Sequence, residues 1–250
     1  MRFLDLNRLG MVSMVAALAL GAAAGAGQLH RARTDAQALA EQARTIARLQ
    51  AEVDGLRATN PDWAAVVARV QPSVVTVTTD EDLGSGWVVR SDGSGSVIVT
   101  NFHVVADAVA HGETNFEVIQ FDRTMSADLL RADRLDDLAV LHVSQVLAPL
   151  VTAAFRPKIG TPVLDLGSPL GLKGTVSAGV VSAYRSMFGS DYLQFTAAIS
   201  PGNSGGPVVD GAGRVVGIAT AKIAEDGADG LYFAIPVQVL CASLVDCAQA

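Results

Sequence analysis

The segment Gly202-Asn203-Ser204-Gly205-Gly206-Pro207 sets one serine among three glycines. A serine hydroxyl is a weak nucleophile until a neighbouring base takes its proton. Glycines around it let the backbone turn so that two N–H groups aim at one point, where an oxyanion can form. The N–H groups of Gly202 and Ser204 are the candidate donors, with Asn203 between them. A plain flexible loop has the same composition. The segment also satisfies Gly-x-Ser-x-Gly, the elbow between a strand and a helix that carries some nucleophiles, but that arrangement needs a histidine after the serine. All four histidines, His30, His103, His111 and His142, precede Ser204. The elbow reading fails on chain order.

A base and an orienting acid must then come from upstream. His103 follows the apolar run Val97 to Thr100, and a histidine at a strand end can be pinned by the sheet and still open to a cleft. The bland reading is a satisfied core histidine. His111 lies in a glycine-containing loop, His142 alternates with Leu138 and Val140 on one strand face, and His30 belongs to the N-terminal helical stretch. Asp137 directly precedes Leu138-Ala139-Val140-Leu141. There it can accept the Nδ1–H of the histidine, fixing its tautomer and stabilising the imidazolium. Asp136 and Asp133 compete by composition alone. No metal or cofactor site is expected. Cys241 and Cys247 fit neither a CxxC nor a zinc spacing, and on a helical tail they point to different faces, so two thiols are expected rather than a disulfide.

These residues need a scaffold, and the composition says which kind. The chain has 250 residues, 50% hydrophobic and 17% charged, with 24 glycines, few aromatics and a net charge of -7. That is a globular composition without a basic stripe, which argues against nucleic acid as a partner. From Ser73 onward, short β-branched runs alternate with turn signals: Ser73–Thr78, Gly86–Val89 after a Gly84-Ser85 turn, Ser96–Thr100, Phe116–Phe121 and Leu138–Val143. More follow at Val163–Leu166, Thr175–Ala183, Tyr192–Ala197, Arg214–Ala219 and Leu231–Ile235. Roughly ten to twelve short strands in this pattern mean an all-β sandwich or barrel. A helix capped by Asn60, with Pro61 in its first turn, should precede them and end near Val70, and residues 236–248 read as a closing helix.

The N-terminus has a different texture. Arg2 and Arg8 precede the uncharged stretch Leu9–Leu29. It reads as a signal peptide with Ala24-Gly25-Ala26 as its cleavage site, or as an uncleaved anchor near the lower limit of about 17 to 25 apolar residues. Either reading exports the rest of the chain. Residues 1–28 are thus an anchor or signal, and 29–59 a helical stalk. Leu39, Ile46, Leu49, Val53 and Leu56 occupy heptad a and d positions in it, as in a short coiled coil that makes a homo-oligomer. A lone amphipathic spacer helix is the alternative.

Four motifs, Thr100-Asn101-Phe102-His103-Val104-Val105, Asp137-Leu138-Ala139-Val140-Leu141, Leu166-Gly167-Ser168-Pro169-Leu170-Gly171 and Gly202-Asn203-Ser204-Gly205-Gly206-Pro207, occur in the order seen in the HtrA (Deg) family of envelope serine proteases. The stretches Val176–Ala183 and Phe233–Pro236 also resemble it, and the similarity covers about residues 62–240. The resemblance implies a chymotrypsin-like fold of two six-stranded β-barrels, about 73–155 and 160–235, within a protease domain over 60–250. It implies a triad of His103, Asp137 and Ser204, with Asp137 preferred over Asp136 because the family's acid directly precedes Leu-Ala-Val. Two departures stand out. Phe102 replaces the small residue usual before the histidine, and the chain ends without room for the PDZ domain of many relatives.

The expected function is hydrolysis of peptide bonds in unfolded or envelope polypeptides. In this fold the residue six before the serine floors the primary pocket. Ala198 stands there, with the uncharged Ile218 and Ala219 nearby, so cleavage after small or medium aliphatic residues is expected. Segments around Arg185–Asp191 could hold the resting site inactive until a partner orders them. The rival readings are a catalytically silent binding module of the same fold, and a membrane scaffold that works through its stalk.

Overall fold

The computed structural model describes residues 35–56, 60–168, 174–187, 189–222 and 231–247. The anchor or signal over 1–28 lies outside the described residues. Among these no helix is long and apolar enough to cross a membrane. Helix α1, over 35–56, forms a unit of its own. Its heptad residues Leu39, Ile46, Leu49, Val53 and Leu56 are all exposed.

The remaining chain opens with helix α2 (Trp63–Val70). Its cap is Asp62, whose carboxylate accepts the Ala65 N–H at 3.1 Å; Asn60, the expected cap, lies two residues too early. A short 3₁₀ turn, Gln71–Ser73, leads into the first strand. The twelve strands are β1 (Val74–Thr78), β2 (Leu83–Asp92), β3 (Gly95–Thr100), β4 (Asn115–Gln120), β5 (Arg123–Asp133), β6 (Leu138–Val143), β7 (Pro162–Gly167), β8 (Thr175–Met187), β9 (Ser190–Phe195), β10 (Pro207–Asp210), β11 (Val215–Lys222) and β12 (Tyr232–Pro236). Helix α3 (Phe102–Ala110) follows β3, and α4 (Val237–Ser243) follows β12.

The strands close into two barrels, β1-β2-β3-β6-β5-β4 and β10-β11-β12-β9-β8-β7, so the expected pair of six-stranded barrels is what forms. Val77, Val88, Ile98, Val118 and Leu141 fill the first, and Val163, Val181, Leu193, Phe195 and Val208 fill the second. A third cluster joins them. Trp87, Val99 and Leu138 of the first barrel pack with Leu166, Val209 and Ile218 of the second and with Val70 and Leu240 of α2 and α4. Each such side chain, wholly buried, contributes about 1.5–3 kcal/mol of transfer free energy. This cluster therefore fixes how the two barrels meet, and the site lies where they meet.

Three expectations change. The Gly84-Ser85 turn is strand: β2 runs through both and pairs with β1 in register Thr76↔Ser85. Glycine stands at 84 because a Cβ there would strike Val104. Strand β5, over Arg123–Asp133, had no sequence signal. Only Met125 and Ala127 of its eleven residues are buried, so its apolar alternation is almost empty. The cysteines form a disulfide. Helix α4 stops at Ser243, and the chain turns back so that Cys241 and Cys247 stand 5.4 Å apart at Cα and are bonded. The expectation of two thiols assumed a helix through residue 248, which would have kept them apart.

Candidate active site

His103 sits in the first turn of α3, just past the end of β3 rather than on it. Asp137 directly precedes β6, which pairs with β3 in register Thr100↔Ala139. That pairing brings the carboxylate under the histidine. Asp137 Oδ1 accepts the His103 backbone N–H at 2.8 Å, and Oδ2 faces the ring Nδ1 at 2.8 Å. The Asp137 carbonyl accepts from Phe102 N–H and the Asn101 side chain. Asp137 holds a left-handed φ of 52°, uncommon for a non-glycine residue and costly. The bonds to its carboxylate and carbonyl over-determine that conformation.

The rival acids have other partners. Asp136 accepts the Ser190 hydroxyl at 2.9 Å, and Asp133 accepts the backbone N–H groups of Leu135 and Asp136. Burial acts to raise the Asp137 pKa. The His103 hydrogen bond and charge, the Thr220 hydroxyl and the His103 backbone N–H outweigh it, and the carboxyl lies below its ordinary value. It is therefore ionised at neutral pH and able to stabilise an imidazolium.

Ser204 reaches this cluster from the second barrel, in the loop that leads into β10. Gly202 and Gly205 take φ of 100° and 87°, conformations that favour glycine. A Cβ on Gly205 would also collide with the Ser85 carbonyl and the Thr100 hydroxyl. Among the described residues, neither the Gly202 nor the Ser204 N–H meets an acceptor, so both donors are left to a ligand. Ser204 Oγ donates to the Thr220 carbonyl at 3.2 Å, and no bond from it to His103 occurs among the described residues.

The sequence reading missed three groups. Thr220, on β11, donates its hydroxyl to Asp137 Oδ2 at 2.7 Å. Ser85, on β2, ties the barrels together at the Ser204 loop. Its N–H donates to the Ser204 carbonyl at 2.8 Å, and its hydroxyl donates to the Gly202 carbonyl at 2.6 Å and accepts the Ser168 N–H. Asp165, on β7, accepts the Asn203 side-chain amide at 2.5 Å inside the second barrel. Ser85 and Asp165 carry no motif. An aspartate inside the strand Val163–Leu166 was the one available signal.

The remaining site expectations divide. Ala198 is exposed ahead of the Ser204 loop, but Ile218 and Ala219 are wholly buried. Ile218 packs in the cluster between the barrels and Ala219 inside the second. Neither offers surface to a substrate, because a strand closed into a barrel buries both of its faces here. Phe102 does not crowd the site. Its ring packs on the first-barrel core, with the Arg134 guanidinium 5.1 Å from its centroid. The segment around Arg185–Asp191 is a β8–β9 hairpin with Gly189 at φ 87°, held by an Arg156–Asp191 ion pair at 2.7 Å and the Ser186 hydroxyl on Asp191. His111 is exposed at the end of α3, and His142 lies half-buried on β6. Among the described residues no cluster of metal-ligating side chains occurs.

The profile of the family described as trypsin-like peptidase domain matches residues 84–218, which include His103, Asp137 and Ser204. The chain belongs to that family. This trypsin-like peptidase is 40% identical over 162 residues to the "Probable periplasmic serine endoprotease DegP-like" of Brucella suis, covering 61% of the chain and 30% of the relative. It is 39% identical over 201 residues to the magnetosome formation protease MamE of Paramagnetospirillum magneticum, covering 75% and 26%. The peptidase thus spans under a third of the length of these relatives. Among solved structures, the serine endoprotease from Yersinia pestis superposes with a TM-score of 0.63 at 32% identity, over 72% of this chain and 64% of that one. The resemblance to HtrA proteases read from the four motifs is borne out.

Proposed function

We propose that this chain is a serine endopeptidase in which Ser204 is the nucleophile, His103 its base and Asp137 the acid that orients the base. One observation carries the reading. Asp137 grips His103 twice, at the backbone N–H and at the ring Nδ1, which sets the ring's tautomer with Nε2 as the basic atom. In the reaction, Ser204 Oγ leaves the Thr220 carbonyl by rotation about Cα–Cβ, exchanging one neutral hydrogen bond worth about 1 kcal/mol for another. Oγ attacks the peptide carbonyl as His103 Nε2 takes its proton. The oxyanion rests on the Gly202 and Ser204 N–H groups, on either side of Asn203. His103 then protonates the departing amine, and water hydrolyses the acyl-enzyme by the same relay.

The substrates are polypeptides, cut after small or medium aliphatic residues; the alanine at 198 supports that choice. The uncharged stretch after Arg8 anchors the chain with the peptidase domain outside the cytoplasm. A periplasmic location agrees with the printed name of the Brucella relative. The exposed heptad stripe of α1 serves a homo-oligomeric stalk. A second reading, a silent binding module, draws on Ser204 resting on Thr220 rather than on His103.

The full chain and its Ser204→Ala variant, incubated with an unfolded test protein, separate the two. Cutting by the wild type alone, with product ends at Val or Ala, is expected. Cutting after Lys or Arg overturns the pocket reading and leaves the mechanism. No cutting by either protein favours the binding module.

A further inference from the structure

Asp165 is a buried acid with no role in the chemistry above. β7 pairs with β10 in register Asp165↔Val208 and with β8 in register Asp165↔Ser177. Val208 belongs to the interior of the second barrel, and the residue opposite it shares that face. Asp165 therefore points into the barrel, fully buried, and meets the Asn203 side chain there. Asn203 is itself buried and lies between the two candidate oxyanion donors.

The pair is unfinished as an ionised contact. Asp165 Oδ1 and Asn203 Oδ1 are both buried without partners. An amide brings a donor and an acceptor; a carboxylate can serve only the donor, whereas a neutral carboxyl can serve both. Among the described residues, the charged and titratable groups on the surrounding strands are engaged elsewhere. Asp210 on β10 pairs with Arg214 at 2.7 Å. Tyr184 on β8 donates to the Pro157 carbonyl. Arg185 on β8 and Asp191 on β9 bond to Gln194 and Arg156. Tyr192 on β9 and Tyr232 on β12 lie against Phe233 and Phe195. None of them supplies a cation to Asp165.

We propose that Asp165 is a positioning residue: in its neutral form it holds the Asn203 side chain inside the second barrel and so fixes the Gly202 and Ser204 N–H groups on either side. This rests on the serine endopeptidase reading above. Burial pushes the Asp165 carboxyl up to about 7 against the opposing Asn203 hydrogen bond, so below neutrality the acid serves both the amide N–H and the Asn203 Oδ1, and above it the N–H alone. The histidine base must be neutral to act. Asp165 adds an alkaline limb of its own.

The test uses the full chain, its Asp165→Asn and Asp165→Ala variants, and two readouts between about pH 5 and 9. One is the rate at which a fluorophosphonate probe labels Ser204. The other is the nitrogen shift of the Asn203 side-chain amide, assigned by its loss in Asn203→Ala. The wild-type labelling rate is expected to fall above neutrality, with the amide shift titrating in step. Asp165→Asn keeps the rate and loses both pH effects. Asp165→Ala labels about 10- to 100-fold more slowly at every pH, as expected for misplaced donors. Identical pH profiles in the wild type and Asp165→Asn, with an amide that does not titrate, overturn the proposal and leave the peptidase reading intact. A titrating amide in a chain that never labels supports the Asp165 hold on Asn203 and overturns the peptidase reading instead.

Discussion

The hydroxyl of Thr220 donates at 2.7 Å to Asp137 Oδ2, the same oxygen that faces the His103 ring. Thr220 comes from β11 of the second barrel, and Asp137 from the first. Asp137 is therefore held from both barrels at once, and Ser204 arrives on the barrel that supplies Thr220. Any relative movement of the barrels changes the orientation of His103 and its distance from Ser204 together.

This contact has a measurable consequence. Thr220→Val removes the hydroxyl at nearly constant volume. A hydrogen bond to a charged group is worth about 1.5–3 kcal/mol, so kcat should fall about 10- to 100-fold with KM nearly unchanged. The Thr220 carbonyl that rests Ser204 is retained. Steady-state kinetics on a short peptide check this. A change confined to KM would show that Thr220 acts on substrate rather than on Asp137.

Stability should depend on pH through Asp165. Its folded pKa, about 7, lies above the ordinary 3.8. Between those values the folded protein keeps a proton that the unfolded chain has released, so stability falls as pH rises through that window and levels off above about 7. The loss is on the order of 4 kcal/mol. Asp137, with its lowered pKa, has the opposite sign: its stabilisation is present above the ordinary carboxylate pKa and lost as pH falls below it. Denaturant melts of the wild type and Asp165→Asn should therefore diverge with rising pH, the variant being the more stable above pH 7. Parallel curves would place the Asp165 proton outside the folding equilibrium.

The disulfide closes a short loop onto the cluster between the barrels, where Cys241 and Cys247 pack. The chain-entropy estimate for so short a loop is about 2 kcal/mol. Replacing both cysteines by serine should lower Tm by about 4–8 °C, and a reductant should lower the wild type by a similar amount. Activity at room temperature should survive, because the bridge lies at the end of α4 and contacts none of His103, Asp137 or Ser204. A Tm that does not move would mean that packing alone secures the tail.

The candidate site was legible in the sequence because it resides in short motifs whose order matters. The glycines around Ser204 announce a backbone turn, and the position of every histidine before Ser204 excludes the elbow. The Asp137-Leu138-Ala139-Val140 run singles out Asp137 over Asp136 as the candidate acid only through resemblance to known proteases. The strand-rich pattern gave sandwich or barrel, and only long-range pairing closed two barrels. Polar β5 became a strand because β4 and β6 flank it. Ser85 and Thr220 carried no local signal, and Asp165 only that of an aspartate inside an apolar strand, since each acquires its partner from a segment distant in the chain. The cysteine pairing was decided the same way: spacing along an assumed helix kept the sulfurs apart, and the turn after Ser243 brought them together. Local spacing encodes which groups can react, while the closure of the barrels decides which distant polar groups hold them in place.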